Sequence, residues 1–138
     1  MPDIRKELEE LMNKLVENPK NGIKGIFVFA PETSLTLLTS SIAVENKDHI
    51  DFNFISNNFN RLNITAINQS GFGILEWSFF KLSNAICILH QFDDGFKEPL
   101  VLSFICDNIE ISTIINTIES YIPTFREKIA VLFGVGGE

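Results

Sequence analysis

The sequence predicts an α+β domain built as a three-layer α/β/α sandwich. A five-stranded antiparallel sheet carries one helix on one face and two on the other, in the order α-β-β-α-β-β-β-α. Three observations lead there. Two segments, Ile23 to Ala30 and Leu100 to Cys106, are apolar on both faces of an extended chain, which places them centrally in a sheet covered on both sides. Three other stretches repeat apolar residues at helical spacing and can supply that cover. Short, turn-rich connections join the last three strand segments, as an antiparallel meander requires.

The elements follow in order. Asp3 to Val16 places Ile4, Leu8, Leu11, Met12 and Leu15 on one stripe, with Asp3 as N-cap and Asn18-Pro19 as the stop. Arg5, Lys6, Glu7, Glu9, Glu10 and Lys14 make its solvated side. Ile23 to Ala30 is the first doubly apolar strand, and Pro31-Glu32-Thr33-Ser34 turns the chain. Leu35 to Ile42, richer in Ser and Thr, reads as a strand nearer an edge. Phe52, Ile55, Phe59, Leu62 and Ala66 then repeat at spacings of three and four, which predicts a helix from Asp48 or Asp51 to Gln69, stopped by Gly71-Phe72-Gly73. Ile74 to Leu82 turns at Ser83-Asn84 into Ala85 to Phe92, and Asp93-Asp94-Gly95 to Pro99 leads into Leu100 to Cys106. A last helix, capped by Asp107 or Asn108, carries Ile111, Ile114, Ile115, Ile118 and Ile122. Pro123 is expected to kink or break it, with Phe125, Ile129, Leu132 and Phe133 continuing at helical spacing. Residues 1–133 read as a single domain and 134–138 as a frayed tail.

Composition narrows the function. With 11 Lys+Arg against 18 Asp+Glu the chain carries a formal charge of −7, which argues against nucleic acid as partner. At 45% hydrophobic it buries enough surface to offset ordering, so disorder is excluded. No stretch approaches the ~20 apolar residues of a membrane span, so no insertion is expected. The acidic opening Met1-Pro2-Asp3 does not resemble a signal peptide, and the expected compartment is cytoplasmic and reducing. Cys87 and Cys106, both inside apolar runs, are then inert core thiols.

Chemistry is sparse. Gly22-Ile23-Lys24-Gly25 and Gly71-Phe72-Gly73 do not continue into a phosphate-binding fingerprint; a strand start and a helix stop explain them better. His49 sits among acidic residues at a helix start, and His90 ends an apolar strand as a hydrogen-bonded core or rim residue. No His/Cys/Asp spacing fits a metal, Asp93-Asp94 belongs to a turn, and no serine is placed with a base. No catalytic, cofactor-binding or metal-ligating residue is assigned, and the chain is read as a non-enzyme without cofactor.

The informative segment is Ile74 to Leu82. As first strand of the meander it is an edge, yet Trp77, Phe79 and Phe80 occupy both of its faces, relieved only by Glu76 and Lys81. Natural edges are blunted with charge, Pro or bulges. An edge left apolar predicts pairing with the same strand of a second copy across a two-fold axis.

An amphipathic helix followed by Gly22-Ile23-Lys24-Gly25-Ile26-Phe27-Val28-Phe29, a turn and a second strand resembles the opening of a Roadblock (dynein light-chain) domain. The long helix ending in Gly71-Phe72-Gly73, the three-strand meander and the closing helix are similar to the rest, so the resemblance spans Asp3 to Ile122. The Asn-rich middle helix and the stretch from Pro123 to Phe133 depart from the pattern. The resemblance implies a non-enzymatic dimer, homomeric or with another Roadblock-like subunit, that scaffolds or regulates a small Ras-like GTPase or serves as adaptor in a larger complex. It implies that Glu76, Trp77, Phe79 and Phe80 pair across the two-fold axis. Phe52, Ile55 and Phe59 then divide between sheet cover and dimer contact, and Phe54 and Ile64, off the main stripe, face the partner. A second reading is an acidic dimeric secretion chaperone holding an extended client segment, disfavoured by two rather than three strands between the first two helices. A third is a ligand-sensing domain, for which the sequence offers no convergent polar groups.

Overall fold

A computed structural model of the chain describes residues 3–30, 35–40, 71, 76–92 and 100–133. Helix α1 (Ile4–Glu17) opens as expected at Asp3, whose carboxylate accepts the Lys6 N–H at 3.2 Å, and it buries Leu8, Met12, Leu15 and Val16. A 3₁₀ turn, Pro19–Asn21, leads to Gly22. Its φ of 68° lies in the left-handed region, and a Cβ there would come within 2.7 Å of Ile109 Cδ1. The Ile109 side chain can give way, but the backbone strain remains. Gly22→Ala is therefore expected to cost about 1–2 kcal/mol, read as a lower denaturant midpoint at unchanged slope.

The sheet comprises β1 (Ile23–Ala30), β2 (Leu35–Thr39), β3 (Trp77–Lys81), β4 (Ile86–Phe92) and β5 (Leu100–Cys106). Its order is β2-β1-β5-β4-β3, and every pairing is antiparallel. The two doubly apolar strands, β1 and β5, are central neighbours, as burial on both faces demands. Strands β2 and β3 are the edges. The β2 ladder ends at Thr39, short of the expected Ile42. Ser40 adds one more bond to β1, its N–H donating to the Ile26 carbonyl at 2.8 Å. The β3 ladder begins at Trp77 and stops before Leu82, which closes the hairpin turn through its N–H to the Ala85 carbonyl at 2.8 Å.

Helix α2 (Ile111–Phe133) lies with α1 on one face. There Ile26, Val28, Ile88, Leu102 and Phe104 of the sheet pack with Leu8 and Met12 of α1 and Ile114, Ile118, Phe125 and Ile129 of α2. A Lys128–Glu7 ion pair at 3.5 Å ties the two helices at their surface. On the opposite face Phe27, Phe29, Cys87, Leu89, Val101 and Ile105 form a second cluster, also shielded from solvent. The middle helix expected to cover that face lies outside the described residues, as do His49, Asp93, Asp94 and the tail 134–138. Gly71, the first residue of the expected Gly71-Phe72-Gly73 stop, has φ 70°, in the left-handed region.

One expectation about α2 is corrected, and of the two outcomes expected at Pro123 a break is excluded. Neither Asp107 nor Asn108 caps the helix. The Asp107 N–H is held by the Gly22 carbonyl at 2.7 Å and its carboxylate pairs with Lys24 at 3.5 Å, while the Asn108 side-chain amide donates to the Ser83 carbonyl at 3.1 Å. Both are thus tied to the strand ends, and the first turn hangs instead on the Glu110 carbonyl, which accepts from Thr113 and Ile114. Pro123 does not break the helix either. It sits on the exposed side, so the carbonyl it leaves unbonded can turn to water, while Ile118, Phe125 and Ile129 on the buried side keep both halves docked. Tertiary packing outweighs the local penalty.

The cysteines sit as expected in the interior, on opposite faces of the sheet. Burial raises the Cys87 thiol, and it lifts Cys106 to about 12, with Cys87 and Asp107 adding to the effect. Thiolate is scarce at neutral pH, so neither residue is expected to react with a maleimide until the chain is unfolded. Mass spectrometry after labelling with and without denaturant checks this.

Candidate functional site

Of the expected site residues, Glu76, Trp77, Phe79 and Phe80 lie among the described ones, on and beside strand β3. One side of the strand is bonded to β4 in five consecutive pairs, Trp77 with His90 through Lys81 with Ile86, without a register shift. Its other side meets no strand among those described. Trp77 leans onto the helix-side core, and Phe79 stacks parallel to it, ring centroids 6.0 Å apart at 3°, with 44% of its surface exposed. Phe80 turns to the opposite face and packs against the second cluster. Glu76 is exposed, and its backbone carbonyl accepts the Gln91 N–H at 2.9 Å. The aromatic residues do occupy both faces of the edge. Of the other expected interface residues, Phe52, Ile55 and Phe59, with the partner-facing Phe54 and Ile64, lie outside the described residues.

Behind the edge runs an aromatic ladder. The His90 ring lies 4.2 Å from Trp77 and 4.9 Å, edge-on, from Phe92, and the Arg126 guanidinium of α2 sits 5.0 Å over the Phe92 ring. Such ring pairs contribute about 0.5–1.5 kcal/mol each beyond area burial, and the cation over Phe92 adds a similar amount. The ladder seats Trp77 against His90, and Phe79 stacks on Trp77 in turn.

His90 is the unusual member. It is 5% exposed, and neither ring nitrogen has a hydrogen-bond partner among the described residues, contrary to the hydrogen-bonded role expected of it. Burial first, and the Arg126 charge second, lower its pKa to about 4, with the Glu76 backbone a weaker opposing influence that falls short of hydrogen-bond geometry. The imidazole is neutral at pH 7 and works as a ring in the stack. Its place was legible, because a two-residue turn at Ser83-Asn84 pairs Leu82 with Ala85 and hence Trp77 with His90. Arg126 carried no such signal, since it reaches the ladder only through the docking of α2.

The far edge is finished differently. Strand β2 pairs with β1 across a register shift at Val28/Phe29, which leaves Leu37 as the extra residue. Arg5 of α1 donates from Nη2 to the Leu37 carbonyl at 2.8 Å. One edge is bulged and held by an arginine, the other is regular and aromatic. Among the described strands, only β3 leaves a regular, unbulged edge, the kind that accepts a further strand most readily. No described helix is long and apolar enough to cross a membrane.

No family model and no curated protein sequence matches the chain. Solved structures do. MglB from Myxococcus xanthus aligns at 10% identity over 96% of this chain and 91% of its own, with a TM-score of 0.66. The gliding protein MglB from Thermus thermophilus aligns at 6% identity over 93% and 92%, with a TM-score of 0.68. A Roadblock/LC7 domain from Streptomyces avermitilis aligns at 12% identity over 86% and 97%, with a TM-score of 0.60. At these identities the likeness speaks for the fold, over nearly the whole chain. With its five-stranded antiparallel sheet, central β1 and β5 and paired terminal helices, this chain has a Roadblock-like fold.

Proposed function

We propose that the protein is a non-enzymatic dimer that scaffolds or regulates a small Ras-like GTPase, or serves as an adaptor subunit in a larger complex. The observation that carries the dimer is the contrast between the two sheet edges. Strand β3 offers a regular ladder with Phe79 exposed and Trp77 braced behind it, whereas β2 is bulged and held by Arg5. Two copies joined β3 to β3 bury both aromatic edges and continue the sheet across a two-fold axis. The GTPase role rests on the Roadblock-like fold and on what resemblance to that family implies; fold-level analogy is its warrant.

The two parts are tested separately. Light scattering over a range of concentrations reads the dimer, expected at about twice the 15.6 kDa chain mass. Titration against the small GTPases of the source organism, each loaded with GDP and with a GTP analogue, reads the partner. Binding to at least one, with a preference between nucleotide states, is expected. A dimer that binds none of them in either state removes the GTPase reading and leaves the adaptor one.

A further inference from the structure

The β2 edge holds a contact that β3 pairing does not explain. In a regular strand successive side chains alternate between faces, yet Leu37 and Leu38 both pack into the helix-side core, because the shift at Val28/Phe29 makes Leu37 an extra residue. A residue outside the ladder leaves its carbonyl without a strand partner. That carbonyl is taken by Arg5 Nη2 at 2.8 Å, across 32 residues of sequence. Arg5 is exposed and belongs to the first turn of α1, whose next turns bury Leu8 and Met12. The helix anchors the arginine over the strand. Just beyond, the Ser40 hydroxyl accepts the Ile26 N–H at 3.3 Å, which extends the pairing with β1 on the inner side and leaves Arg5 as the side chain that caps the bulge.

We propose that Arg5 is a guard on β2: by occupying the Leu37 carbonyl it keeps this edge from pairing with a strand of a second copy of the chain. A domain with two open edges can add copies without limit, since edge-to-edge contacts that do not close give filaments. With one edge guarded, strand addition is confined to β3. For a copy to add at β2, the guanidinium must leave its acceptor, and two cationic side chains are brought together when both edges are β2. The proposal stands on the Arg5 contact and the bulge, and holds whether or not β3 forms the dimer.

Sedimentation velocity of five proteins tests it: the unmodified chain, Arg5→Ala, Arg5→Met, Phe79→Lys and the double variant Arg5→Ala/Phe79→Lys. Arg5→Ala is expected to form species larger than those of the unmodified chain, at concentrations about tenfold below any at which the latter does so, as loss of one charge-assisted hydrogen bond would allow. With β3 blocked, Phe79→Lys is expected to stay monomeric while the double variant self-associates through β2. Arg5→Met, which keeps an apolar stem without the donor, is expected to behave as Arg5→Ala. Thermal melts of each variant report folding. Masses unchanged by Arg5→Ala in both backgrounds overturn the proposal, as does a loss of stability without association. If the unmodified chain proves monomeric, pairing through β3 fails, yet added association in Arg5→Ala still supports the guard.

Discussion

Phe79→Lys is expected to halve the particle mass in dilute solution while leaving the fold intact. Phe79 is 44% exposed, so the substitution removes little core and costs the monomer less than about 1 kcal/mol. In a β3-to-β3 pair the same ring is central and appears twice. A buried aromatic anchor at the middle of an interface is typically worth about 2 kcal/mol or more, and two lysines brought together there add repulsion. A dissociation constant at least about thirtyfold weaker follows, that being about 2 kcal/mol. Lysine on an edge is also a common natural device against strand pairing. The control is Phe79→Tyr, which keeps the ring and is expected to keep the dimer. Light scattering on both variants, with circular dichroism to verify folding, decides the point.

The second large effect is a pH dependence set by His90. Burial and the Arg126 charge hold its pKa at about 4 in the folded chain, against 6.5 for a free imidazole. Between these values the unfolded chain binds a proton that the folded chain refuses. Stability contributed by a neutral His90 is therefore intact above about pH 6.5, falls as pH drops toward 4, and levels off below. The full loss is at most about 3 kcal/mol. Carboxylates also titrate in this range, so the comparison must be with a variant. His90→Phe keeps a ring between Trp77 and Phe92 and removes the proton site. Denaturant unfolding at about pH 7 and about pH 4.5 is expected to show a smaller drop for His90→Phe than for the unmodified chain. Equal drops would show that the imidazole is already solvated or paired.

Much of this architecture was legible in the sequence, for physical reasons that differ by element. Strands β1 and β5 have the bounds expected because apolar residues on both faces leave them only the sheet centre. Helix α1 was marked by its stripe and by Asp3, whose capping bond is present. The exposed aromatic edge followed from strand order alone, since the first strand of a meander has one neighbour. The features without a sequence signal depend on contacts distant along the chain. The cap of α2 moved because Asp107 and Asn108 are engaged by Gly22, Lys24 and Ser83. Pro123 is tolerated because residues on both sides of it dock on the sheet. The bulge at Leu37 depends on the register of β2 against β1, and the Arg5 contact on where α1 lies, neither of which apolar spacing encodes.

The central claim is the proposed one: β3, which meets no further strand among the described residues, pairs with the same strand of a second copy. Its most direct test is a distance between copies. Cys87 and Cys106 are buried with raised thiol pKa values, so a single spin label can be placed at Lys81→Cys, an exposed position at the end of β3. If two β3 strands pair about an axis within Glu76 to Phe80, the labelled backbones lie within about 35 Å of each other, at about 3.4 Å per residue along each strand. Pulsed electron–electron double resonance is expected to give one narrow intermolecular distance within that bound, lost on adding Phe79→Lys. No intermolecular distance at concentrations where the chain is otherwise folded, or one that survives Phe79→Lys, would contradict pairing through β3.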